Sequence, residues 1–140
     1  MKRALFVVIL SVTAACARST AASDDGTEPP VGSVSDTTTR NNDWSRIEQL
    51  EAQAKSLVKV DGCSSSALCK TAPVGSRACG GPRYYLTYCA KTTDSAALYR
   101  KLAEVAKAEQ AFNTKYQIAS TCEFRMPPAV EASGGVCKAP

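Results

Sequence analysis

The sequence predicts a small α+β domain: two amphipathic helices packed on a short antiparallel sheet and stapled by disulfides. Three observations lead there. Six of the seven cysteines fall between Cys63 and Cys137. Apolar residues recur at helical spacing on both sides of a cysteine-rich middle. Between those stretches, RYYLTYC is built from strand formers.

The first helix is expected to open at Asn42 or Asp43, whose side chains can cap a first turn. Trp44, Ile47, Leu50, Ala54 and Leu57 then line one face, with Val58 beside them. Glu51 and Lys55 form a favourable pair one turn apart. Asp61-Gly62 is the expected stop. Gly80-Gly81-Pro82 reads as a turn, and the run from Arg83 to Cys89 as a strand. Tyr84, Leu86 and Tyr88 share one face of that strand, and Tyr85 and Thr87 the other. A second helix starts at Thr93-Asp94 and carries Leu98, Leu102, Val105, Phe112 and Tyr116 on one face. Both stripes read as core rather than as a ligand surface. Thr121 to Met126 and Gly135 to Lys138 are two further strand candidates, joined by a loop bounded by Pro127-Pro128 and Gly134-Gly135.

Cys63, Cys69, Cys79, Cys89, Cys122 and Cys137 fit three disulfides, each contributing about 2–4 kcal/mol by restricting the unfolded chain. Spacing does not choose among the pairings. No C-x2-C pair occurs and there is no His, so neither a zinc site nor a thiol-exchange pair is expected. The same inventory removes Ser-His-Asp and Cys-His catalysis. The acids Asp43, Glu48, Glu51, Asp61, Asp94, Glu104, Glu109, Glu123 and Glu131 are scattered and read as a solvated surface. No phosphate-binding glycine loop is present. An enzyme is not expected, and no cofactor is implied.

The first forty residues speak of destination. Lys2 and Arg3 precede an uncharged, mostly apolar run from Ala4 to Ala15, the layout of a secretory signal peptide. That run is too short for the roughly 20 residues a bilayer span needs. Val12-Thr13-Ala14-Ala15-Cys16 resembles the lipobox of bacterial lipoproteins, over residues 1–16 alone. The resemblance implies cleavage before Cys16, a lipid on its thiol and a place anchored to a membrane of the cell envelope. Ala17 rather than Asp in the next position implies the outer membrane, where the organism has one. Ordinary cleavage after Ala17 fits the same residues and would give a periplasmic or secreted protein. Either route removes Cys16 from the thiol count. Residues 17–41 are dominated by Ser, Thr, Asp, Gly and Pro and read as a flexible tether of about 28 Å reach. The expected organisation is a signal peptide over 1–15, a lipidated Cys16 with its tether over 16–41, and one domain over 42–140.

From Gly62 to Thr93 there is no Asp or Glu, while Lys70, Arg77, Arg83 and Lys91 are present. That segregation points to a binding or structural module with a basic face around Arg77, Arg83, Tyr84 and Tyr85, since Arg and Tyr suit interface anchors. An anionic envelope polymer or an acidic protein surface is the expected partner. A net charge of +4 is too modest to suggest nucleic acid. The alternative is a protease-inhibitor-like domain whose disulfide-flanked loop presents Arg77 or Arg83 to a trypsin-like pocket. The wider pattern CGGP…STC…GGVC resembles small cysteine-rich exported bacterial proteins, a resemblance that implies no activity.

Overall fold

The computed structural model describes residues 34–139; the expected signal peptide, Cys16 and the first part of the expected tether lie outside them. The elements run α1 (Val34–Ser56), a 3₁₀ turn (Ser66–Leu68), β1 (Cys69–Val74), β2 (Tyr84–Cys89), α2 (Ser95–Lys115), β3 (Glu131–Ser133) and β4 (Val136–Lys138). The α+β class and the antiparallel pairing are as expected. The sheet is not single, however: β1 pairs with β2, and β3 with β4, in two separate ribbons.

α1 corrects the sequence reading at both ends. It starts at Val34, so residues 34–41 are helical rather than tether. Thr37 to Thr39 are β-branched and poor helix formers, which hid this turn. Tertiary contacts hold it instead. The Arg40 guanidinium lies 6.0 Å and 5.7 Å from the rings of Phe112 on α2 and of Tyr116, its C-cap. Asp43, expected as a cap, is inside the helix and accepts hydrogen bonds from Lys115 Nζ at 2.6 Å and Tyr116 Oη at 2.8 Å.

At its other end α1 stops at Ser56, before Asp61-Gly62. Leu57 N–H and Val58 N–H donate to Ala54 O and Lys55 O, tightening the last turn. Beyond it the backbone is claimed by both ribbons. Lys59 O accepts from Cys89 N, and Val60 O from Cys137 N, each at 2.8 Å. Continuing the helix would forfeit these bonds.

β1 carries no strand signal in the sequence, because Pro73 removes a ladder donor. It is tolerated because β1 has a partner on one edge only. Cys69 stands opposite Cys89 and Val74 opposite Tyr84. As expected, Tyr84, Leu86 and Tyr88 all face the core. Residues 121–126 are not a strand; they belong to an exposed stretch without regular structure. Pro127-Pro128 follows at once, so a ladder there would lack donors. Residues 131–133, read as loop, form β3. Gly134 and Gly135 have φ of +60° and +78° and make the two-residue turn of the β3–β4 hairpin.

Asp94 caps α2, its carboxylate accepting from Ala97 N–H at 2.9 Å. The core forms where Leu98, Leu102, Val105 and Phe112 of α2 meet Ile47 and Ala54 of α1 and Ala72, Val74 and Tyr88 of the first ribbon. A second buried cluster is made of cysteines. The bridges are Cys63–Cys89, Cys69–Cys137 and Cys79–Cys122. The first two are buried: Cys69–Cys137 ties β1 to β4, and Cys63–Cys89 ties the segment after α1 to β2, whereas Cys79 and Cys122 are exposed. Among the described residues, no helix is long and apolar enough to cross a membrane. Three disulfides in so small a domain accord with export to an oxidising compartment.

Candidate functional site

Two neighbouring arrangements gather the sequence-picked residues. The first is an ion cluster between the helices. Arg83, at the entry to β2, projects inward and meets carboxylates from both helices: Nη2 pairs with Glu51 Oε2, and Nε is 2.8–2.9 Å from the two oxygens of Glu109. Glu51 also accepts from Tyr84 Oη at 2.5 Å and from Lys55 Nζ at 2.7 Å. Glu109 takes a further bond from Ser76 N–H at 2.9 Å. The guanidinium stands over the rings of Trp44 and Tyr84 at 5.6 Å and 5.7 Å. Gly75 makes room for all this. Its φ is +74°, and a Cβ there would overlap Glu109 Oε2 and stand 2.7 Å from Arg83 Nε.

This corrects two readings. Arg83 and Tyr84 are engaged inside the fold rather than displayed on a basic face. Glu51 and Glu109 are buried, at 9% and 3% exposure, rather than solvated. Burial works against the Glu51 charge, but hydrogen bonds from Lys55, Tyr84 and Arg83 outweigh it and hold the carboxyl at about 2. Such a group stays ionised at neutral pH and serves as a staple between α1, α2 and β2.

The second arrangement is a braced loop. Residues 119–129 are exposed and carry no helix, strand or turn. Phe124 and Met126 stand 83% and 70% exposed, the most exposed large apolar side chains among the described residues. A loop so exposed would ordinarily be loose. This one is held on its inner side. The Cys79–Cys122 bridge anchors it, and Ser120 Oγ accepts from Cys79 N–H at 2.9 Å. Arg77 Nη2 donates to Glu123 O, and Tyr85 Oη donates to Arg125 O at 3.1 Å. Arg125 Nη1 donates back to Arg83 O at 2.9 Å. The Arg77 Nε is enclosed and has no hydrogen-bond partner among the described residues.

Of the four residues the sequence singled out, Arg77 and Tyr85 thus hold the loop from beneath, and Arg83 and Tyr84 belong to the ion cluster. The backbone of Arg83 joins the two, since its carbonyl receives Arg125. In the sequence Phe124, Arg125 and Met126 read as part of an ordinary strand. Two large apolar residues wedged between a cysteine and Pro-Pro, with no matching strand nearby, were the available signal. Glu51 and Glu109 also left one, since each interrupts an apolar stripe at core spacing: Ile47–Glu51–Ala54 and Val105–Glu109–Phe112.

The sulfurs of Cys63, Cys69 and Cys137 lie within 4.8 Å of one another. All three are oxidised in disulfides and offer no thiolate to a metal. No family model, curated protein or solved structure matches this chain.

Proposed function

We propose that this protein is a non-catalytic binding module displayed at the bacterial cell envelope, anchored by a lipid on Cys16 and contacting its partner through the braced loop at residues 119–129. Residues 17–33 then serve as the linker between lipid and domain. The exposure of Phe124 and Met126 on a loop whose carbonyls are tied to the scaffold carries the reading. Holding two large apolar side chains in water has no benefit to folding, whereas a pre-ordered loop loses little entropy on binding. The exposed Lys70 and Lys91 add positive charge that steers acidic partners, whereas Arg125 is paired with Glu123 at 3.7 Å.

Two measurements test this. Labelling with an alkyne fatty acid should mark the wild type and not Cys16→Ser, and should follow the membrane fraction. A photo-crosslinker at position 124 in cells should give a discrete adduct that purified Cys16→Ser protein competes away. Competition retained by Phe124→Ala/Met126→Ala protein would remove the loop from the contact, and an unlabelled wild type would remove the anchor.

A further inference from the structure

The loop has a feature that binding alone does not require. The two carbonyls tied to the scaffold are those of Glu123 and Arg125, on either side of Phe124. The chain is anchored on the acyl side by the disulfide at Cys122, and on the amine side by the Arg125 guanidinium, which reaches the backbone of Arg83. Met126 precedes proline and is restricted to extended geometry, and Pro127 and Pro128 have fixed φ. The large apolar side chains of Phe124 and Met126 are left facing solvent beside the exposed Glu123 and Arg125.

We propose that residues 122–126 form the reactive loop of an inhibitor of serine peptidases with an apolar primary pocket, with Phe124 entering the pocket and Phe124–Arg125 as the bond presented for attack. The inference rests on the loop being the contact surface and names its partner class. Arg125 is not the pocket residue, because its guanidinium is engaged with the domain's own backbone. Neither Arg77 nor Arg83 is available for that role, since one braces the loop and the other is held between two buried carboxylates.

The chemistry follows from the bracing. The peptidase serine oxygen attacks the Phe124 carbonyl carbon, and the C–N bond to Arg125 breaks. The serine proton passes through the enzyme's base to the Arg125 amine. In a flexible substrate that amine departs and water takes its place. Here Tyr85 holds the carbonyl of Arg125, Arg77 holds that of Glu123, and Cys79–Cys122 holds the acyl segment. The new amine stays beside the acyl carbon, so the amide re-forms by the reverse path faster than water intervenes. A pre-ordered loop also binds with little loss of freedom.

The test uses oxidised Cys16→Ser protein titrated against chymotrypsin. Activity should fall with one-to-one stoichiometry, and mass spectrometry should find intact and 124–125-nicked protein equally inhibitory. Phe124→Ala should weaken inhibition by about 30-fold or more, the scale of a buried anchor residue. Phe124→Arg should transfer the inhibition to trypsin. Tyr85→Phe should still bind but be hydrolysed at Phe124–Arg125 about tenfold faster. Complete cleavage of the wild type at 124–125 without inhibition would overturn the proposal. So would full chymotrypsin activity with the bond intact. If either occurs while purified protein still competes for the crosslink at position 124, the peptidase assignment alone has failed. If the Phe124→Ala/Met126→Ala protein competes as well as the parent, the loop itself is not the contact.

Discussion

Replacing Arg83 by Met tests the ion cluster most directly. Met keeps much of the volume and removes the cation between Glu51 and Glu109. Glu51 would retain Lys55 and Tyr84, but Glu109, with a side chain 4% exposed, would keep only Ser76 N–H. Breaking a buried ion pair costs about 3–5 kcal/mol. The Arg83 side chain is 26% exposed and admits some water, which places the loss near the lower end, about 3 kcal/mol. For a domain of this size each kcal/mol moves Tm by roughly 4–8 °C, so a fall of about 12–24 °C is expected at pH 7. The assay is thermal unfolding of the oxidised protein by circular dichroism at pH 7. A loss below about 1 kcal/mol would refute the account of Arg83 as the neutralising group. A double variant, Arg83→Met with Glu109→Met, should recover most of the stability, because no charge is then left buried.

Three further outcomes follow from the same geometry. Gly75→Ala should destabilise by about 2 kcal/mol or more, measured by urea unfolding, because a Cβ meets Glu109 and Arg83 at a left-handed φ. Gln117 sits at φ +48° where α2 ends, and Ile118 N–H reaches back to Asn113 O at 3.0 Å; Gln117→Gly should raise stability by up to about 1 kcal/mol, read as a higher Tm. The Glu51 carboxyl, lowered from 4.5 to about 2, supports the fold above its ordinary value and loses that support as pH falls from about 4.5 to 2. The ceiling is about 3 kcal/mol, reduced to about 2 by solvent around the half-exposed Lys55. Glu51→Gln should therefore flatten the acid limb of stability against pH.

The bracing and the ion cluster support each other through one residue. Arg83 sends its side chain inward to the two helices and offers its carbonyl outward to Arg125. Loosening the cluster should therefore slacken the loop as well as the core. A loop that is to stay in shape without secondary structure needs a support of this kind, because its own backbone groups satisfy little of one another.

The sequence by itself determined the class of the fold, both helices, the core faces of α2 and β2, and the involvement of six cysteines in disulfides. These are local or compositional properties: an apolar stripe at Leu98, Leu102 and Val105 buries wherever the helix finds a partner. Only the tertiary structure decided which cysteines pair, that residues 34–41 continue α1, that the strands form two ribbons, and that the fold ties Arg83 to two buried carboxylates while leaving Phe124 in water. Each of these depends on groups far apart in the chain. Arg83 and Glu109 are 26 residues apart, and Arg77 and Glu123 are 46. A charge on an apolar stripe is surface or core according to whether an opposite charge is brought to it, and periodicity along the chain carries no record of that meeting.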